Sequence, residues 1–201
     1  MSITSAMVKE LRDKTGAGIM DCKEALNVSV GDFEKAIDYL RKKGMSAATK
    51  RSSKAAKDGG VASYIHMGGR IGVLVEVNCE TDFVAKTADF QLVAKDLAMH
   101  VAAANPLYLK SEDISPDVIS REKEIYKSQA LAEKKPEKIW DKIIEGKLKK
   151  YYEDVCLLNQ KFIKDTDITV ETLINNMIAK TGENIVIRRF ARFQLGEELK
   201  K

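Results

Sequence analysis

Apolar positions in the first 45 residues recur at helical spacing, and glycines punctuate them. Met7, Val8 and Leu11 share one face of a first helix, which stops at Thr15-Gly16. Ile19, Cys22 and Leu26 share a face of a second helix that begins after Gly18. A third begins near Gly31-Asp32 and turns Phe33, Ala36, Ile37 and Leu40 to one side. It is expected to end in Arg41-Lys42-Lys43 followed by Gly44, a basic last turn and a glycine stop. Three helices this short bury only a small core, so residues 1–45 read as a small three-helix domain of a kind used for binding. Residues 46–60 keep helix-forming residues but lose the apolar stripe, and they end in Gly59-Gly60. They read as a basic, helical or flexible linker.

The period changes to two at Val61. VASYIH and IGVLVEV are separated by Met67-Gly68-Gly69-Arg70, a hairpin signal. In the second run Ile71, Val73, Val75 and Val77 alternate onto one face. A long helix is expected from about Asp82 to Ala104, with Phe90, Val93, Leu97 and Val101 along its buried stripe and Pro106 beyond its end. Val170, Leu173, Ile174, Met177 and Ile178 fit a later helix closed by Gly182, and NIVIRRFARFQL reads as the last strand. An open antiparallel sheet with helices on one face buries all of these positions, so residues 61–201 read as an α+β core domain. Within it, about 115–165 is a charged insertion. Ser115-Pro116 starts one helix, and another begins near Pro136 with Ile139, Ile143, Leu148 and Tyr152. The two read as a projecting helical hairpin whose charges form either a solvated face or a contact surface.

Composition narrows the classes. Of 201 residues 44% are hydrophobic, enough for a real core, and no run approaches the ~20 apolar residues that span a bilayer. The first residues, MSITSAMVKELRDKTG, lack the layout of an export signal, which makes a cytoplasmic location the expectation. Cys22, Cys79 and Cys156 follow no metal-ligand spacing; they read as buried small hydrophobes, with a link between two copies as the alternative. The net charge is +4, yet residues 41–57 hold seven basic residues and no acidic one. Such a run suits phosphates or an acidic partner, but it has no aromatic residue on which bases could stack.

Candidate chemistry is sparse. His66 lies at the tip of the expected hairpin and His100 inside the long helix, neither with a partner at zinc-ligand spacing. There is no G-x-S-x-G elbow and no phosphate-binding G-x-x-x-x-G-K-[ST] loop. No catalytic residue, metal or cofactor is therefore assigned. One stretch stands apart, Asn78-Cys79-Glu80-Thr81-Asp82-Phe83-Val84-Ala85-Lys86, at the junction of a strand and the long helix. Thr81 caps that helix and Asp82 suits its first turn. Periodicity leaves two places open for Phe83, the core or the outside of the domain.

Two blocks carry a family resemblance: Val8–Arg12 with Thr15–Leu26, and Glu76–Ala85. Through them the chain resembles the elongation factor Ts family along nearly its whole length. The resemblance implies a guanine-nucleotide exchange factor that binds the GTPase elongation factor Tu and promotes release of GDP. It implies that residues 1 to about 54 form a ubiquitin-associated-like domain, with Met20 and Lys23 on its docking surface. It implies that Thr81, Asp82, Phe83 and Val84 dislodge magnesium in the partner, with Phe83 intruding, and that His66 on the hairpin is a further contact. The chain departs from longer members, which duplicate the sheet-and-helix half; only one hairpin, one long helix and one closing strand are legible here. A sheet surface left uncovered by that difference leads to the expectation of a homodimer. A nucleic-acid-binding module or an adaptor, using the basic stretch and the three-helix domain, is the alternative reading.

Overall fold

The computed structural model describes residues 3–198; Met1, Ser2 and residues 199–201, which belong to the termini read above, lie outside that range. The chain is α+β. Its N-terminal part is three helices, α1 (Ser5–Thr15), α2 (Ile19–Val28) and α3 (Phe33–Arg51). Thr4 caps α1 and Asp32 caps α3, the latter accepting the Lys35 N–H at 3.1 Å. Leu11, Cys22, Ala25, Leu26 and Ala36 make a small buried cluster, as the helical spacing demands.

The third helix does not stop at Gly44. It continues through the first part of the expected linker, and its basic last turn is Lys50-Arg51. Gly44 is buried where α3 packs on α8 (Val170–Thr181), and a Cβ at that position would lie 3.6 Å from the Cβ of Ala179. Burial against a second helix offsets the ~1 kcal/mol that a glycine costs a helix interior, so it is a packing position and not a stop. The remaining link is short, because the first strand begins at Asp58 and not at Val61.

The main sheet has three antiparallel strands in the order β1 (Asp58–His66), β2 (Ile71–Cys79), β5 (Ile185–Gln194). Gly59 has φ +139°, and a Cβ there would collide with the Val77 carbonyl on β2. Val73, Val75 and Val77 face inward together with Ile185 and Ile187. α5 (Ala88–Ala104) lies on that face through Phe90, Leu97 and Val101. The opposite sheet face has no covering element among the described residues.

The expected long helix is broken. A single turn, α4 (Asp82–Ala85), is separated from α5 by Lys86 and by Thr87, whose hydroxyl accepts the Phe90 N–H and starts a new helix. A β-branched residue with a capping oxygen competes with continued helix at that point. The insertion folds as α6 (Pro116–Ala132) and α7 (Trp140–Val155), packed against each other around Ala130 and Leu148. A small ladder that the pattern did not foretell, β3 (Lys161–Phe162) with β4 (Asp165–Thr169), returns the chain to α8. Gly182, at φ +72°, ends α8 as expected.

His100 on α5 is fully buried. It bonds Gln160 at 3.0 Å through Nε2 and accepts the Ile163 N–H at 3.3 Å through Nδ1. That arrangement needs the neutral ring, and burial pushes its pKa down. The histidine thus fastens the long helix to the segment beyond α7. The three cysteines are unpaired and buried, which suits small hydrophobes. Burial raises the pKa of Cys156 to about 11, so its thiolate is scarce at neutral pH.

Candidate functional site

The end of β2 leads straight into the stretch singled out in the sequence. Thr81 has an extended backbone (φ −131°, ψ 155°) and its hydroxyl oxygen accepts the Val84 N–H at 3.5 Å. The same residue donates twice to one carboxylate: its N–H to Glu183 Oε2 at 3.0 Å and its hydroxyl to Glu183 Oε1 at 2.7 Å. The Cys79 thiol donates to the Thr81 carbonyl at 3.1 Å. Asp82, half-exposed, accepts a hydrogen bond from Lys86 Nζ at 2.6 Å, one helical turn on. That bond, with the lysine's charge, holds the Asp82 carboxyl below the usual range.

Phe83 is 80% exposed. The turn therefore resolves the choice that periodicity left open: Val84 and Ala85 pack against the core, and Phe83 points away from it. A solvated phenylalanine on a turn held by several side-chain hydrogen bonds has few ways to retract.

Met20 and Lys23 are both exposed on α2, with Met20 73% exposed beside Ile19. The opposite face of that helix supplies Cys22, Ala25 and Leu26 to the small cluster, so the outward set is what the inward set leaves. His66 ends β1, exposed, with its Nδ1 3.1 Å from the Tyr64 hydroxyl and its ring stacked on Tyr64 at 5.8 Å. Ile65 and Met67 are exposed next to it.

These residues are not gathered into one cavity. Asp58 pairs with Cys79 at the end of β2 that leads to Thr81, while His66 pairs with Ile71 at the other end. Eight strand steps at ~3.3 Å separate the two ends, roughly 26 Å. Sequence reasoning found the turn but missed the groups that hold it. Glu183 lies 102 positions from Thr81, and no local pattern marks it; Glu80 falls in the stretch already singled out, but its bond to Asn184, 104 positions on, does not show in the pattern. An uncovered sheet surface was expected, but without its residues: Ile65 and Leu74 stand exposed on the outer face beside a 66% exposed Phe193. Alternation on β2 held that signal, since Leu74 interrupts the inward valines with an apolar residue on the outward side.

A fixed, solvated aromatic, with further exposed apolar residues on a separate helix and on a hairpin tip, is the build of a protein that docks on another protein. Among the described residues, no group of three or more His, Cys, Asp or Glu is arranged to hold a metal, and no helix is long and apolar enough to cross a membrane.

Comparison with known proteins places the chain in a family. The family model described as Elongation factor TS matches residues 5–197. A protein named Elongation factor Ts from Syntrophus aciditrophicus (strain SB) is 80% identical over 201 residues, covering all of both chains. Proteins of the same name from Geotalea uraniireducens (strain Rf4) and Geobacter sulfurreducens (strain ATCC 51573 / DSM 12127 / PCA) are 61% and 57% identical, with this chain aligned in full to 93% of each. The chain belongs to the elongation factor Ts family.

Proposed function

We propose that this chain is a guanine-nucleotide exchange factor of translation elongation: it binds elongation factor Tu in the cytoplasm, promotes release of GDP and catalyses no covalent step of its own. Family membership supports the exchange role, and nothing in the relatives favours the nucleic-acid or adaptor alternative. The observation that carries the mechanism is Phe83, solvated on a turn that its own backbone and side-chain bonds keep in place.

A GTPase holds GDP through its phosphate loop and a magnesium ion bridging phosphate and protein. A partner expels the nucleotide by binding the distorted, nucleotide-free site better than the loaded one. In this reading Phe83 enters the GTPase as an apolar wedge. Asp82 competes for hydrogen bonds near the magnesium. Thr81 holds the turn and Val84 backs it. Met20 and Lys23 dock the three-helix unit on the nucleotide-binding domain, and His66 on the hairpin tip meets another part of the GTPase. The three-helix unit then serves recognition and the sheet-and-helix core does the work, with the connector and the packing of α3 on α8 tying the two together. Linkage requires that whatever factor this protein takes from GDP affinity, GDP takes from this protein's affinity.

The test is stopped-flow release of a fluorescent GDP analogue from purified elongation factor Tu. Acceleration by this protein, rising to a plateau with its concentration, is the expected outcome. Release at the spontaneous rate would reject the proposal.

The same reading includes a homodimer. Ile65, Leu74, Ala191 and Phe193 form an exposed apolar surface across the three strands. At its border Glu76 pairs with Arg189 at 2.7 Å and with Arg188 at 3.7 Å, which leaves a single net positive charge at the rim of the face. Two such faces stacked about a two-fold axis make a sandwich with the normal sheet spacing of ~10 Å. Light scattering at tens of micromolar should report a dimer for the wild type and a monomer for Phe193→Glu. A wild-type monomer at that concentration would remove the dimer from the proposal.

A further inference from the structure

We infer that the turn after α8, Glu183-Asn184, is a positioning element for the wedge, and that the Glu183 carboxylate sets the direction in which Phe83 points. The inference rests on the wedge reading of Phe83. Two loops far apart in sequence clasp each other in both directions. Glu183 accepts the N–H and the hydroxyl of Thr81, while Glu80 Oε1 accepts the Asn184 N–H at 2.7 Å. Because the Thr81 hydroxyl is committed to Glu183 as a donor, its oxygen presents a lone pair to the Val84 N–H. Glu183 thereby orients the cap that sets the turn.

The clasp is itself anchored. Gly182 in the left-handed conformation ends α8 just before Glu183, and the Thr181 hydroxyl accepts the Glu183 N–H at 3.3 Å. The buried Asn184 side chain donates to the Lys54 carbonyl at 2.7 Å, and Arg51 lies 3.5 Å from Glu80. Strand end, wedge turn, α8 turn and the exit of α3 therefore meet at residues 183–184. The connector that the sequence presented as a spacer is tied to the working turn.

The clasp serves the turn more than the core. Residues 80–87 contribute no fully buried side chain, the β1–β2 and β2–β5 ladders run to Cys79 without it, and α5 has its own cap at Thr87. Without Glu183 the fold keeps its apolar clusters. A wedge on a loosened turn, however, must be ordered at the moment of docking, and that cost comes out of the free energy available to distort the partner. A carboxylate accepting two donors is suited to prevent this, because bonds to a charged group are shorter and stronger than neutral ones.

The experiment compares Glu183→Ala, Glu183→Gln and Phe83→Ala with wild type. It reads saturating GDP release from elongation factor Tu, half-saturating concentration, Tm and amide hydrogen exchange. Glu183→Ala is expected to lower the saturating rate roughly tenfold, the scale of a lost charge-assisted bond. Half-saturation and Tm should stay near wild type, and exchange should quicken at residues 81–84 while β2 and β5 stay protected. Glu183→Gln, which keeps one acceptor for the Thr81 N–H but only a donor towards the Thr81 hydroxyl, should recover part of the rate. Thr81→Val, which keeps the shape and the N–H but deletes the hydroxyl, should slow release in the same direction.

If Glu183→Ala matched wild type in rate while Phe83→Ala was slow, the positioning role would be overturned and the wedge would stand. If Phe83→Ala matched wild type, the wedge reading would fall and the inference with it. A Glu183→Ala protein that lost Tm and protection throughout the sheet would make Glu183 a structural residue and also overturn the inference.

Discussion

The three-helix unit and the sheet-and-helix core both expose large apolar side chains, but on different foundations. Met20 stands on α2, beneath which only Val8, Leu11, Cys22, Ala25, Leu26 and Ala36 are buried. Among the described residues, Phe83 stands on a turn joined to a buried cluster three times as populous, 18 residues against 6, and that turn is held by side-chain bonds from the loop after α8. A small module can offer a surface, because its outward residues only have to be complementary. Displacing a bound ion and nucleotide from a partner needs a side chain that does not yield, and such a side chain belongs on the better-supported part. On the proposed function, the first region supplies affinity and the second the maximum rate of nucleotide release.

Phe83→Ala probes that assignment with the largest effect. Truncating a buried aromatic anchor costs ~2 kcal/mol or more, roughly thirtyfold. The loss should appear in the saturating rate of GDP release, with Tm unchanged because Phe83 supports nothing in the free protein. A loss confined to half-saturation would break the division between the regions. Met20→Ala should do the reverse. An exposed rim residue of this type costs about 1 kcal/mol, roughly fivefold, read as a higher half-saturating concentration with the plateau rate retained. Raising salt should weaken a Lys23→Ala variant less than wild type, since the charge that is screened has been removed.

Acidification sharpens the comparison through the core alone. The folded pKa of His100 is lowered from 6.5 by burial, so the stability it contributes is complete above about that pH. It is lost as pH falls through the lowered folded value. Thermal melts between pH 7 and 5 should therefore show a declining Tm that a His100→Gln variant, less stable throughout, shows more weakly. The three-helix unit holds neither of the chain's two histidines, so hydrogen exchange on α1 and α2 should change less over the same window.

Much of this was legible in local pattern. The inward valines of β2, the stripe of α8, the Gly182 stop and the Pro116 start all follow from period and termination chemistry and appear where expected. The misread places share a cause. Gly44 resembles a stop until α8 is laid against it, and Thr87 is one of several polar residues until its cap on Phe90 breaks the helix. The short β3–β4 ladder spans too few residues for any period to register.

Taken alone, the sequence determined the element types, the family and the stretch from Asn78 to Lys86 as the place to look, because these depend on residues near one another along the chain. The tertiary structure decided that Phe83 faces solvent, which residues make up the bare outer sheet face, and that Glu183 accepts both donors of Thr81. Those outcomes depend on contacts between residues about a hundred positions apart. Only the packing of α5 and α8 against the sheet brings such residues together, so no local periodicity records them.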